Sequence, residues 1–259
     1  MELISPAALA KEKVQSVQDY TLLAVRSIGD LFTPPRYLAD MMQQADLIGV
    51  GSLPIVLAAV FFTGAALALN SAATLSRFGA QTVIGQLVSI GIVRELGPVL
   101  AGLVVAGRNA SGIASELGSM IVTEQIDAMR ALGTDPVRKL VTPRVVATSF
   151  MLFFLTILGD LMGLVGGAFA SWLLLGMNTH QFWSNAWQTL VFSDVFMGLF
   201  KPVVFGFIIA TIGCYYGLAT KGGTQGVGRA TTEAVVAAML LIIVIDVFVT
   251  RFLMVILGV

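Results

Sequence analysis

Six ionisable side chains stand inside stretches that are otherwise apolar: Arg94 and Glu95 as neighbours, Asp160, Lys201, Asp246 and Arg251. Groups so placed can bind a charged ligand, carry protons, or pair across helices. An ion at the centre of a bilayer costs about 2.5–3.5 kcal/mol on the insertion scale, so each should face protein or water. Arg94 and Glu95 are consecutive, about 100° apart around a helix. They cannot form an ideal pair with each other, and each is expected to find another partner or to line a cavity. Asp160 and Asp246 have the chemistry of proton-relay acids in a secondary transporter. Two isolated acids do not make a relay, so bonds to neighbouring helices are expected instead. Lys201 stands near the start of its apolar stretch, where it can snorkel to the interface.

Enzyme chemistry is poorly supplied. His180 is the only histidine and Cys214 the only cysteine, which removes histidine metal clusters, triads and disulfide frameworks. The run from Lys221 to Arg229 is glycine-rich, but it lacks the lysine-serine or lysine-threonine ending of a phosphate loop. It also lacks the third small residue of a dinucleotide fingerprint, Thr231 standing there. It reads as a flexible connection. No catalytic residue, metal ligand or cofactor site is expected in this chain.

The elements that position these charges follow from composition. Hydrophobic residues make up 57% and charged residues 12%, against about 45–50% and 25% in soluble domains. That much apolar surface needs a bilayer. The formal net charge of zero gives no reason to expect nucleic acid as a partner. A span takes about 20 apolar residues, and the chain offers five, at about 50–70, 82–107, 145–175, 195–218 and 232–257. Lipid leaves no unpaired backbone group, so all five should be helices. The expected fold is an all-α integral membrane protein. Residues 1–46 form an N-terminal region and 47–259 the membrane domain.

Basic residues crowd the segment before the first span, the segment between the second and third, and the one between the fourth and fifth. The positive-inside rule then puts the N-terminus in the cytoplasm and the C-terminus outside. Residues 1–18 carry Glu2, Lys11, Glu12 and Lys13 and no apolar core, so a cleaved signal peptide is not expected. Ser5-Pro6 is suited to start a helix. Val17, Tyr20, Ala24, Ile28 and Leu31 recur on one face of it, and Pro34-Pro35 end it. The helix either lies in the interface or packs on the spans. Gly159, Gly163 and Gly167, and Gly213 with Gly217, recur every four residues. That spacing favours close helix packing, within the bundle rather than at a dimer face.

Between the second and third spans, Thr123 could cap a short helix with Glu124 and Asp127 in its first turn. Asp127 and Arg130 are spaced to pair, Val122, Ile126 and Met129 form an apolar stripe, and Gly133 and Pro136 stop it. A capped, two-faced helix held in a loop is a docking knob for another protein, or a surface helix on the bilayer.

Several blocks together resemble one family. They are Arg94-Glu95-Leu96-Gly97-Pro98, Ala106-Gly107-Arg108, Ser115-Glu116-Leu117-Gly118-Ser119-Met120, Thr123-Glu124-Gln125-Ile126-Asp127-Ala128-Met129, Asp135-Pro136, Pro143-Arg144, Lys221-Gly222-Gly223 and Gly228-Arg229-Ala230-Thr231-Thr232. They resemble MlaE-type permeases of ABC transporters that work with MCE-domain lipid-binding proteins. The resemblance covers nearly the whole chain beyond the N-terminal 40 or so residues.

It implies five spans, an interfacial N-terminal helix and a homodimer in the cell inner membrane. It also implies a cytoplasmic ABC ATPase that holds ATP and Mg, a periplasmic MCE-domain partner, and a small STAS-domain subunit in some systems. On this resemblance Thr123, Glu124, Gln125, Ile126, Asp127, Met129 and Arg130 form the coupling helix seated in the ATPase. Arg94 and Glu95 sit near a lipid cavity, or else belong to a buried structural network. The implied activity is movement of phospholipid that maintains outer-membrane lipid asymmetry. Transport of sterol or another hydrophobic compound, or proton-coupled transport, are the alternatives.

Overall fold

The computed structural model describes residues 6–34 and 37–258. Ser5 and Pro35, expected to bound the first helix, lie outside the described residues. Helix α1 (Pro6–Gly29) starts at the expected proline. Two long runs follow, α2 (Leu38–Phe78) and α3 (Gln81–Val122). The short α4 (Gln125–Ala131) leads to the long α5 (Val137–Leu175). The short α6 (Thr179–Thr189) precedes the last two long helices, α7 (Phe192–Leu218) and α8 (Gly223–Leu257). The five long runs are each apolar enough to cross a membrane, and no strand occurs among the described residues. The chain is an all-α, multi-pass membrane protein.

Three segments expected to be connections are helical. Residues 107–122 continue α3, because Gly118 and its neighbours find packing partners at Thr220 and Val227 beyond the apolar stretch. Residues 179–189 form α6, capped by the Asn178 side chain, which accepts from the His180 N–H at 2.9 Å. The glycine-rich run turns within Gly222 and Gly223, at φ of 87° and 68°. Only glycine reaches that region without strain, so the reversal is finished in two residues and α8 starts at once.

Glycines set how closely the spans approach. A Cβ on Gly64 would lie 1.9 Å from the Gly163 carbonyl oxygen, and one on Gly166 would lie 2.0 Å from that of Phe61. Helices α2 and α5 therefore touch backbone to backbone. Gly159 faces Val56 and Val60, while Gly213 and Gly217 face Ile113, Ala114 and Leu117 of α3. The repeated glycines are thus spent inside one chain. Helix α7 is the centre of the bundle, with 61% of its most apolar window buried, whereas α8 has 11%. Phe248, Phe252, Val244 and Val247 of α8 face outward.

Helix α1 packs on the spans through Tyr20, Ala24 and Ser27. The Tyr20 hydroxyl lies 3.0 Å from Thr211 Oγ1. Burial raises the Tyr20 phenol above its ordinary value, and the bond to Thr211 opposes that shift. The expected apolar face is only partly used, since Val17 and Ile28 are exposed along with Val14, Leu22 and Val25. The helix therefore packs along one edge and leaves an apolar side outward. Its far end is held by ion pairs around the entry to α5, Arg26 to Asp135 at 2.6 Å and Arg138 to Asp30 at 3.2 Å, while Lys139 ties α5 to Asp40 of α2 at 2.5 Å.

Candidate functional site

The charged pair of α3 sits on a distortion of the helix. Residues Ile92–Leu96 form a single widened π turn, a feature often found at functional sites. Pro98 follows it. Proline has no N–H and crowds the carbonyl four residues before it, here that of Arg94. The freed Arg94 carbonyl accepts from Lys201 Nζ at 3.1 Å. Lys201 also lies 2.5 Å from Glu95 Oε2 and 3.1 Å from Asp246 Oδ1. One ammonium of α7 thus joins α3 by two hydrogen bonds and α8 by an ion pair.

Lys201 does not snorkel. Its side chain is completely buried, because a carbonyl and two carboxylates meet it in place and replace the hydration it would otherwise seek. Sequence alone showed each of these residues but not their meeting. The usable signal was the presence of two span acids, Glu95 and Asp246, that needed a cation.

Arg94 turns the other way, toward Asp194 at 3.5 Å. Asp194 is in the first turn of α7, where a carboxylate is favoured by the helix dipole, and it accepts from the Val191 N–H at 3.4 Å. The two neighbours therefore have separate partners, as their angular separation requires. Asp246 meets a neighbouring helix as expected, by an ion pair with Lys201 rather than by a hydrogen bond. Asp160 does not. One of its oxygens is buried without a hydrogen-bond partner, facing Gly97. The Gly97 N–H is already committed to the Ile92 carbonyl within the π turn, so α3 has no donor to offer there.

Glu95 and Asp246 open into a cleft of about 280 Å³ on the flank of α3 and α8, completed by Val247, Thr250, Arg251 and Met254. A larger hollow, about 670 Å³, lies elsewhere, between α1, α5 and α7. Its walls are apolar, with Phe150, Phe153, Phe200 and Phe207 among them. No cluster of three metal-ligating side chains occurs among the described residues.

The second candidate site is α4. Thr123 does not cap it. Its hydroxyl donates back to the Ser119 carbonyl at 2.8 Å, closing α3. Glu124 takes the cap position instead, at φ 59°, the one positive φ at a non-glycine among the described residues. This left-handed residue turns the chain sharply from α3 into α4, so Glu124 precedes the first turn and only Asp127 lies in it. Asp127 and Arg130 pair at 2.8 Å as their spacing requires. Ile126 is fully buried in a cluster with Leu117, Val141 and Cys214, and Met129 packs against that cluster. They anchor the helix. Glu124, Gln125, Asp127 and Arg130 are exposed, and Leu132 at the tip is 84% exposed. Below it, buried Arg144 pairs with Glu116 at 2.8 Å, which ties α5 to the extension of α3.

The sequence matches the Permease MlaE family over residues 41–252. It is 44% identical to a probable ABC transporter permease protein of Rickettsia typhi, over 92% of each chain. A probable ABC transporter permease protein of Synechocystis is 42% identical over 81% of this chain and 80% of the relative. The chloroplastic protein trigalactosyldiacylglycerol 1 of Arabidopsis thaliana is 37% identical over 82% of this chain and 61% of the relative. A match over most of the chain, with relatives named as transport subunits rather than enzymes, fixes the assignment: this chain belongs to the MlaE permease family, the membrane-spanning part of an ABC transporter.

Proposed function

We propose that this permease moves phospholipid between the inner membrane and a periplasmic MCE-domain protein, and so maintains outer-membrane lipid asymmetry. The observation that carries the coupling half of this reading is α4. It is a rigidly anchored helix with a charged, exposed outer face and an apolar tip at Leu132. Two copies of the chain form the transporter, each with its N-terminus in the cytoplasm and its C-terminus in the periplasm. The ABC ATPase, which holds ATP and Mg, receives Glu124, Gln125, Asp127, Arg130 and Leu132. A small STAS-domain subunit joins on the cytoplasmic side. Closure of the ATPase pair pushes α4, and the Ile126 anchor passes the movement to α3 and α5.

The cleft at Glu95 and Asp246 opens toward the neighbouring copy, and the outward phenylalanines and valines of α8 contact lipid tails. Arg94 supports the π turn from behind. The name of the Arabidopsis relative carries that of a glycerolipid, which supports a glycerolipid substrate over a sterol.

Asp127→Arg tests the coupling role. It replaces an exposed ion pair that contributes under about 1 kcal/mol to stability, so the permease should fold normally. Reversing a charge on the docking face should weaken ATPase capture in a pull-down at least about tenfold, since like charges apposed across an interface cost several kcal/mol. Undiminished capture of the ATPase would remove α4 from the docking surface.

A further inference from the structure

Arg251 is the cation of the Glu95–Asp246 cleft that neither the charge network nor the bundle employs. It is exposed on α8 and makes no ion pair or hydrogen bond among the described residues. It shares the cleft with Glu95 and Asp246. Thr250, next to it, has a buried hydroxyl that likewise lacks a hydrogen-bond partner. An unpaired guanidinium and an unused hydroxyl thus meet beside a carboxylate network in one cleft.

The charges around the cleft do not balance without Arg251. Lys201 is shared by two carboxylates, so the ionised trio carries a single net negative charge. A phosphate approaching that trio alone would be repelled. Arg251 brings the cleft to neutrality and places a positive group at one end of it. Glu95 is the member of the trio that opens to the cleft, its side chain 37% exposed against 17% for Asp246 and none for Lys201. The cleft therefore has a cation at one end and an accessible carboxylate at the other. Arg251 lies six residues before the end of α8 at Leu257, about 9 Å along a helix rising 1.5 Å per residue. At that depth a guanidinium reaches the level of lipid phosphates.

We infer that the cleft is a headgroup site for an amine-bearing, zwitterionic glycerophospholipid, with Arg251 and Thr250 taking the phosphate and Glu95 taking the amine. This rests on the lipid-permease reading above and adds the class of headgroup. Arginine suits the phosphate because its planar fork offers two parallel donors to two oxygens. The amine end selects phosphatidylethanolamine over phosphatidylglycerol, which brings the same phosphate but no cation for Glu95.

The test reconstitutes the permease with its ATPase in nanodiscs of equal phosphatidylethanolamine and phosphatidylglycerol, extracts the complex in mild detergent, and counts retained lipids by mass spectrometry. Wild type should hold phosphatidylethanolamine in preference to phosphatidylglycerol. Arg251→Gln should lose about tenfold of that retention, the factor that one charge-assisted hydrogen bond supplies, and Arg251→Lys should keep a larger share. Because Arg251 is exposed, neither change opens a cavity, and ATPase co-purification reports assembly. Wild type that retains both lipids equally overturns the headgroup assignment whatever the variants do. So does Arg251→Gln with undiminished retention, and both results leave the lipid-permease reading intact. Wild type that retains no phospholipid overturns that reading and the headgroup site with it.

Discussion

Replacing Lys201 with methionine should destabilise the permease by about 3 kcal/mol and abolish transport. Methionine matches the length of the lysine stem, so the change removes the charge with little loss of packing. It leaves Glu95, Asp246 and the Pro98-freed carbonyl of Arg94 without their common cation. Breaking a buried ion pair by removing one partner costs about 3–5 kcal/mol. The lower end applies because Glu95 is partly exposed and water can screen it.

Thermal unfolding of the purified protein in detergent measures the loss. Adding Glu95→Gln and Asp246→Asn should restore much of the stability, because a neutral trio has no uncompensated charge. Transport should stay lost in that triple variant, since the cleft would no longer carry its charges. A Lys201→Met protein that melts with wild type would show that the three acceptors do not depend on this ammonium.

Gly64→Val should be at least as damaging, by a different route. Its Cβ would be driven into the Gly163 carbonyl oxygen, 1.9 Å away. The clash is with backbone, so no rotamer change relieves it, and α2 must move off α5. Overpacking typically costs about 1–3 kcal/mol and sometimes more. Here the upper end or beyond is expected, because Gly166 makes a second backbone contact in the same seam. The readout is the yield of monodisperse protein after membrane extraction, which should fall severalfold. Gly112→Ala is the control. It is a helical glycine with open space around it, so it should be neutral or gain up to about 1 kcal/mol from helix propensity. Equal yields for the two variants would mean that α2 and α5 do not depend on close contact.

Five spans and their helical state were legible in the residue order. Each follows from a local rule: long apolar runs must enter lipid, and backbone groups in lipid must pair within the segment. The Asp127–Arg130 pair and the buried Ile126 of α4 were legible for the same reason, since helical spacing fixes both.

What the residue order could not decide was where charges separated by about a hundred positions meet. Lys201 was free to snorkel until tertiary structure set the depth and rotation of α7 against α3 and α8. The π turn at Ile92–Leu96 changes that rotation by an extra residue, and Pro98 frees the carbonyl that Lys201 takes. Neither effect shows in a regular 3.6-residue count. Tertiary packing likewise carried α3 on to Val122, made Thr123 the end of one helix rather than the start of the next, and left Asp160 facing a glycine with no donor to spare. Local sequence therefore determined which segments cross the membrane, and packing alone determined which charges face one another, because pairing depends on helix depth and rotation that only neighbouring helices can fix.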